Sequence, residues 1–135
     1  MEECIFCKII NKEILSYILY EDEYSIAFLD INPVNKGHTL FVPKKHFDRI
    51  SNIDDEYIKN FYESFTKFLK LFEEKISNDY NIIVNNGKKA GQVVFHAHIH
   101  IIPQYNENGY KNILNPHTHK LSKEEAEEII KKFNS

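Results

Sequence analysis

The chain places three histidines at alternate positions: His96, His98 and His100. In a β-strand, side chains alternate between the two faces and each residue adds about 3.3 Å, so this spacing predicts a row of imidazoles roughly 6.6 Å apart on one face. Ala97 and Ile99 would then face the core, and a slip of one residue would bury the histidines instead. The alternation therefore specifies the register of the predicted strand.

A row of imidazoles permits three interpretations. Imidazoles two residues apart on a strand can converge on one zinc ion and leave a fourth position for water. A neutral imidazole can instead attack phosphorus while its neighbours position it and move protons. In the third interpretation, the histidines are solvated or satisfied within the core and do no chemistry.

The segment before the histidines, residues 85–92, is polar and holds two of the four glycines of the chain. The dipeptide Asn86-Gly87 is typical of a tight hairpin turn. Gly91 allows close approach of the backbone, so free amides of this turn can hold an anion against the start of the histidine strand. A solvated loop explains the segment alone equally well, but a phosphate beside imidazoles favours phosphoryl or nucleotidyl transfer.

The elements that would position these residues follow from the apolar patterns. Helices are predicted over 5–10, along the stripe from Ile58 to Phe72, and from Ser122 to about Phe133; strands are predicted over 17–20, 25–29, 39–42, 81–84 and the histidine segment. Ser122 and Glu125 form a capping box for the last helix. The pattern predicts an α+β fold: a five-stranded antiparallel sheet with a long helix packed on one face, plus short N-terminal and C-terminal helices.

The composition limits the function classes. With 135 residues and no linker or repeat, the chain is predicted to form one domain over 1–135. A net charge of -3 and a pI near 6.2 disfavour a general nucleic-acid binder. The first residues lack a basic and apolar targeting segment, and no apolar run is long enough to cross a bilayer. We therefore expect a cytoplasmic protein that acts on a small charged nucleotide, without nucleic-acid or membrane partners.

Four segments of the chain resemble the histidine triad (HIT) superfamily. The run His96-Ala97-His98-Ile99-His100-Ile101-Ile102 matches its H-x-H-x-H signature with apolar residues between, and residues 4–10, 27–33 and 37–46 look like the Hint branch. The resemblance extends from about Cys4 to Pro103. It fades over 104–135, which we interpret as a variable tail with a terminal helix, where His117 and His119 either reach the nucleotide site or lie in a solvated loop.

This resemblance implies hydrolysis or transfer at the α-phosphate of a nucleotide. His98 would be the nucleophile that carries a covalent nucleotidyl intermediate, His100 would contact the phosphate and help to move the proton, and His38 would assist. Phosphoryl transfer needs mostly positioning and stabilisation of charge, which imidazoles and backbone amides supply without a metal. No catalytic metal is therefore expected.

The resemblance also implies contacts with the substrate. Asp30 would accept the ribose hydroxyls, although an aspartate before Asn-Pro often only starts a turn. The nucleobase would be flanked by Phe28, Leu29 and Ile31, and the phosphate oxygens would be contacted by Asn85 and by the backbone of Gly91 and Gln92. Many Hint relatives have serine where this chain has Val93, so a hydroxyl contact is lost while the backbone amide remains.

The only two cysteines, Cys4 and Cys7, form half of a zinc site that histidines would have to complete. Free thiols and a redox pair are the alternatives, although a redox pair is expected near a βαβ pattern, which the sequence lacks. The resemblance implies a structural zinc held by Cys4, Cys7, His46 and His96.

The function that these features favour is hydrolysis of purine nucleoside phosphoramidates, such as AMP joined to an amine. Hydrolysis of dinucleoside polyphosphates is the alternative enzyme, but it needs more positive charge than the single arginine, Arg49, and the nearby Lys88 and Lys89 supply. A nucleotide-binding adaptor with incidental catalysis is the alternative outside enzymes. The resemblance further implies a homodimer in which two sheets join into one.

Overall fold

The computed structural model describes residues 4–135. Residues 1–3, which belong to the predicted domain and to the N-terminal segment considered for targeting, lie outside the described residues. The elements are α1 (Ile5–Ile10), β1 (Ile18–Glu21), β2 (Ser25–Leu29), β3 (Thr39–Pro43), α2 (Asp55–Lys75), β4 (Tyr80–Ile83), β5 (Ile99–Pro103), α3 (Gly109–Leu114) and α4 (Lys123–Phe133). Short 3-10 turns occur at Ile50–Asn52 and Lys88–Ala90.

The strands form one five-stranded sheet in the order β1-β2-β3-β5-β4, and every pair is antiparallel. This arrangement confirms the predicted α+β fold and places β3 and β5 side by side at the centre. Leu40 of β3 is opposite His100 of β5. Because His38 immediately precedes β3, this pairing brings His38 close to His100.

The long helix α2 covers one face of the sheet. Asp54 caps it by accepting a hydrogen bond from the Tyr57 amide at 2.8 Å, and two acidic residues in the first turn complement the helix dipole. Its aromatic stripe packs with alternate residues of the central strands and with α4; the buried members include Phe61, Phe65, Phe68, Phe72, Ala27, Leu29, Phe41, Ile99, Ile101, Ala126 and Ile129. Each buried phenylalanine contributes about 1.5–3 kcal/mol through its burial.

The opposite face of the sheet is also covered, which the sequence analysis did not predict. Helix α1 inserts Phe6 and Ile9 against Phe28 and Leu40 and buries the histidine side of the sheet. His96 is 0% exposed and His98 is 8% exposed. The predicted separation between an apolar core face and an accessible histidine face is therefore wrong: both faces are buried, by different helices.

Two local predictions about the histidine segment need correction. Strand β5 begins at Ile99, so His96 and His98 precede the regular pairing, and the Ala97 amide instead donates to the Phe47 carbonyl at 2.6 Å. The connection between β4 and β5 is a broad loop over residues 84–98 and not a tight Asn-Gly hairpin.

The side chain of Gln92 explains the width of this loop. Its Oε1 accepts from the Gly87 amide at 2.7 Å, while its Nε2 donates to the carbonyls of Asp48 at 2.6 Å and Val94 at 3.0 Å. These tertiary bonds connect the loop to the segment before α2, and Gly87 and Gly91 both have φ near +96°, where a side chain would be strained. Within residues 4–135, no helix combines the length and apolar character needed to span a membrane.

Candidate functional site

The three predicted catalytic histidines meet on the face covered by α1. His38, immediately before β3, places its Nε2 3.0 Å from Nδ1 of His100. The rings of His98 and His100 lie 5.1 Å apart between centroids. Asp30, immediately after β2, places Oδ2 3.5 Å from the same His38 nitrogen. We call Asp30, His38, His98 and His100 the triad cluster.

The hydrogen bonds of the triad cluster determine where its protons lie. The Val34 amide donates to His38 Nδ1 at 3.0 Å, so a neutral His38 carries its proton on Nε2. That proton is donated to His100 Nδ1, and a neutral His100 therefore carries its own proton on Nε2. A single backbone amide thus sets the tautomers of two histidines in sequence.

His98 has the opposite tautomer. Its Nδ1 lies 2.7 Å from the carbonyl oxygen of His96, and only a protonated nitrogen can donate to that oxygen. Its Nε2 therefore bears a free lone pair. The edge-on ring of Phe6 from α1 packs against His98 at 5.1 Å. His98 is thus held with Nε2 as its unprotonated ring nitrogen.

Burial keeps these imidazoles neutral. Desolvation lowers the pKa of His38 to about 4 and that of His100 to about 4, with the neighbouring imidazoles adding to the shift at His100. Desolvation also lowers the pKa of His98, although the hydrogen bond to His96 and the carboxylate of Asp30 oppose it. Near neutral pH, His98 is therefore in the form that can attack an electrophile.

Asp30 combines the two roles considered for it. Its Oδ1 accepts from the Asn32 amide at 2.8 Å, as in a turn before Asn-Pro, while Oδ2 faces His38. Burial raises the pKa of this carboxyl group. The turn therefore orients one carboxylate oxygen toward the triad cluster.

The predicted base-flanking residues are divided by the sheet. Phe28 lies on the histidine face, where its ring packs edge-on against Phe6 at 5.4 Å. Ile31 follows Asp30 and is 63% exposed. Leu29 is buried on the opposite face, in the core beneath α2. The alternation of β2 therefore removes Leu29 from the predicted set.

The predicted phosphate loop is also rearranged. The amides of Gly91 and Gln92 donate within the loop, to the carbonyls of Lys88 and Gly87 at 3.1 Å each, so neither is the free donor that we expected. Asn85 is half-buried beside Gly91. Val93 is 86% exposed, and its amide makes no hydrogen bond within residues 4–135.

The predicted zinc ligands form a second cluster, which we call the metal cluster: Cys4, Cys7, His46 and His96. Cys4 Sγ lies 3.4 Å from His96 Nδ1, and Cys7 Sγ lies 3.4 Å from His46 Nδ1 and 3.6 Å from His96 Nδ1. A tetrahedral zinc ion with ordinary bond lengths places sulfur and nitrogen ligands about 3.5 Å apart. The spacing of these donors therefore fits zinc.

The surroundings of His96 also suit a metal ligand. Its Nε2 lies 2.8 Å from the Pro43 carbonyl and donates to it, which leaves Nδ1 unprotonated and directed at the sulfur atoms. Without a metal, burial and the neighbouring Cys4 raise the pKa of the Cys7 thiol to about 11. A bound cation would be needed to hold that sulfur as a thiolate near neutral pH.

Three contributions to the site were not predicted from the sequence. Phe6 was interpreted only as part of a short helix, although it contacts both His96 and His98. Val34 contributes through its amide, which is independent of its side chain. Gln92 was predicted only as a backbone contact to phosphate, whereas its side chain holds the loop. The one available signal was the position of Phe6 between Cys4 and Cys7, because zinc binding by these cysteines and His96 would bring Phe6 close to His96.

Comparison with known proteins identifies the family. A model described as the HIT domain matches residues 11–107. An uncharacterized HIT-like protein of Methanocaldococcus jannaschii is 52% identical over 106 residues, which cover 78% of this chain and 82% of the relative. The adenosine 5'-monophosphoramidase of Candida albicans is 43% identical over 109 residues, which cover 77% of this chain and 72% of that enzyme.

Solved structures agree with this assignment. A hypothetical histidine triad nucleotide-binding protein from Sulfolobus tokodaii has a TM-score of 0.81 and 31% identity, with 96% of this chain and 89% of the other covered. A zinc-bound histidine triad family protein from Mycobacterium smegmatis has a TM-score of 0.76 and 26% identity, with coverages of 98% and 94%. The fold, the histidine motif and the matched length together show that the chain belongs to the HIT domain family of histidine triad proteins.

Proposed function

We propose that this histidine triad hydrolase cleaves purine nucleoside phosphoramidates at the α-phosphate through a covalent intermediate on His98. The observation that carries the proposal is the His98 ring, whose Nδ1 donates to the His96 carbonyl at 2.7 Å and whose Nε2 is therefore free to attack. A nucleophile that is neutral and oriented in advance avoids the cost of arranging it at the moment of reaction.

The reaction would proceed in two displacements. His98 Nε2 attacks phosphorus, and the bond from phosphorus to the amine breaks as the amine nitrogen takes a proton from the triad cluster, where His100 Nε2 carries one. Water then attacks phosphorus, the bond to His98 breaks, and a proton returns to the cluster. The net reaction transfers hydroxyl to phosphorus and hydrogen to the amine.

The surroundings of the triad cluster support an adenylate-like substrate. Asp30 directs Oδ2 into the cluster and would accept ribose hydroxyls, while Phe28 and the exposed Ile31 would flank a purine. The Val93 amide is the donor we assign to a phosphate oxygen, in place of the occupied amides of Gly91 and Gln92. The named activity of the Candida albicans relative, a monophosphoramidase, supports this substrate class.

We further propose that the metal cluster holds a structural zinc. Four protein ligands leave no position for water or substrate, so zinc there would connect α1 to the segment before β5 and take no part in the reaction. The zinc-bound relative supports this assignment. Reduced thiols are required for such a site, which agrees with a cytoplasmic location.

A homodimer completes the proposal. Strand β4 is an edge of the sheet, and the apolar side chain of Ile82 on this strand is 46% exposed. An exposed edge strand presents unpaired backbone groups that a second copy can extend into a continuous sheet. Sedimentation of Ile82→Lys against the unchanged protein tests this arrangement, because a charge at the edge would favour the monomer.

The decisive experiment is intact-protein mass spectrometry of samples quenched during turnover of adenosine phosphoramidate. The unchanged protein is expected to gain the mass of one AMP transiently, and His98→Ala is expected to gain none. His117→Ala is the matched control, because that histidine lies in the tail. Fast turnover without an adduct would indicate direct attack by water; absence of both would redirect the substrate search to dinucleoside polyphosphates.

A further inference from the structure

The tail beyond the matched HIT domain contacts the loop that carries part of the triad cluster. The Leu121 amide donates to the Ile31 carbonyl at 2.9 Å, and the His119 amide donates to the Pro33 carbonyl at 3.2 Å. The donors and the acceptors are each two residues apart and run in opposite directions, as in a short antiparallel pairing. We call residues 119–121 the tail strap.

The tail strap is connected to the core through helix α4. Helix α4 begins two residues after Leu121, and its buried residues Ala126 and Ile129 belong to the core beneath the sheet. Ser122 caps α4 as predicted, because its Oγ accepts from the Glu125 amide at 3.1 Å. The Glu125 carboxylate does not complete the capping box and contacts Nε2 of His119 at 3.0 Å. The strap therefore joins a helix fixed in the core to the loop after Asp30.

One peptide unit connects the strap with the triad cluster. The carbonyl of Pro33 and the amide of Val34 belong to the same planar peptide, so they point in opposite directions. The His119 amide holds the oxygen of this peptide, and His38 Nδ1 accepts its hydrogen at 3.0 Å. Rotation of this peptide would break both hydrogen bonds together.

We infer that the backbone amide of His119 is a positioning group for the triad cluster, because it orients the Pro33–Val34 peptide that fixes the tautomer of His38. The effect on His100 follows, since His38 donates to His100 Nδ1 only while its proton is on Nε2. The link to turnover rests on the proposed function; the link to the His38 tautomer does not.

The test compares two substitutions at one position. His119→Pro removes both the amide hydrogen and the imidazole, whereas His119→Ala removes the imidazole alone. Lys120→Pro is a second control, because within residues 4–135 the Lys120 amide has no acceptor. The readout is the pair of ¹⁵N chemical shifts of the His38 ring, which distinguish the two neutral tautomers without any substrate.

We expect the unchanged protein, His119→Ala and Lys120→Pro to show a His38 ring protonated on Nε2, and His119→Pro to show a mixture of tautomers. Turnover of adenosine phosphoramidate should fall about tenfold in His119→Pro, mainly in kcat, and change less than twofold in the controls. An unaltered His38 signature in folded His119→Pro would overturn the inference, whatever the activity. If the unchanged protein did not hydrolyse adenosine phosphoramidate, that result would count against the proposed function instead.

Amide hydrogen exchange keeps the inference testable if His119→Pro does not fold. In the unchanged protein, the strap predicts that the amides of His119 and Leu121 exchange at least tenfold more slowly than the amide of Lys120 between them. Equal exchange rates at these three positions would show that the pairing is absent in solution and would overturn the inference.

Discussion

The molecule holds two histidine clusters beneath α1, and they differ in where their protons lie. The triad cluster offers three potential ligand atoms, from Asp30, His38 and His100, and the metal cluster offers four; in each, these atoms lie within 4.8 Å of one another. Residue types alone therefore do not distinguish a metal site from a site for proton transfer.

Backbone groups behind the rings make the distinction. At His96, a carbonyl accepts the Nε2 proton and leaves Nδ1 free toward the sulfur atoms. At His38, an amide donates to Nδ1 and directs the Nε2 proton at His100. A neutral imidazole has one proton, so the first environment favours metal binding and the second favours proton transfer.

The two clusters are also linked through His96. The side chain of His96 belongs to the metal cluster, while its carbonyl oxygen holds Nδ1 of His98. Phe6, which lies between the two cysteines on α1, packs against His98 as well. The metal cluster is therefore placed to hold His98, the proposed nucleophile, and the following predictions test how far the two clusters are separable.

The largest effect is expected from His98→Ala. Loss of the nucleophile should lower kcat at least about a thousandfold, because the neighbouring histidines cannot replace its free Nε2. Affinity for AMP should stay within about tenfold, or about 1.4 kcal/mol, since the ribose and base contacts remain. Steady-state assays measure kcat, and calorimetric titration measures the affinity for AMP. Residual turnover above a tenth of the original would place the nucleophile elsewhere.

Breaking the metal cluster should act on stability more than on chemistry. Cys7→Ser is expected to lose zinc and several kcal/mol of unfolding free energy, because binding energy at a structural zinc site is folding energy. Metal analysis and thermal unfolding measure this, with Lys8→Ser on the same helix as the control. A chelator should lower the melting temperature of the unchanged protein; a melting temperature that does not respond would contradict a structural zinc.

Acidification should destabilise the triad cluster. The folded pKa values of His38 and His100 are about 4, and that of an unfolded histidine is about 6.5, so the unfolded chain binds more protons as pH falls through this window. Between pH 7.5 and 5, each should remove about 2 kcal/mol of stability. Urea unfolding of His38→Gln should show a smaller pH dependence than that of His117→Gln; equal dependence would contradict this origin.

The tautomer argument is sharpened by Val34. Val34→Pro removes the amide hydrogen that His38 accepts, whereas Val34→Ala retains it. A lost hydrogen bond of this kind is worth about 1 kcal/mol, so we expect kcat to fall roughly five- to tenfold in the proline variant only. Steady-state kinetics of both variants measure the difference. Equal rates would show that His38 does not need this donor.

The smallest effect is expected at the edge of the proposed base site. Ile31→Ala should raise KM for adenosine phosphoramidate by a few fold, because the exposed side chain loses contact with the base at a cost of about 1 kcal/mol. Ile14→Ala, at another exposed position, is the control. If KM changes equally in both, the base lies elsewhere.

Local sequence signals predicted much of the fold. Helix α1 and strand β2 begin and end where they were predicted, because each is an apolar run flanked by polar residues. The start of β5 was predicted too early, since Ala97 bonds to Phe47 from a distant segment. The 84–98 loop was misjudged for the same reason: Gln92 bonds to residues that are remote in the sequence.

The amino-acid sequence by itself determined the candidate residues of the triad cluster and the elements that carry them, and its resemblance to the histidine triad superfamily indicated the donor set of the metal cluster. Only the tertiary structure decided that α1 buries the histidines, that Leu29 and Phe28 lie on opposite faces, that His38 donates a hydrogen bond to His100, and that the tail pairs with the loop after Asp30. The physical reason is that side-chain types and periodicity are local properties, whereas burial and tautomer depend on backbone groups that folding brings from distant parts of the chain.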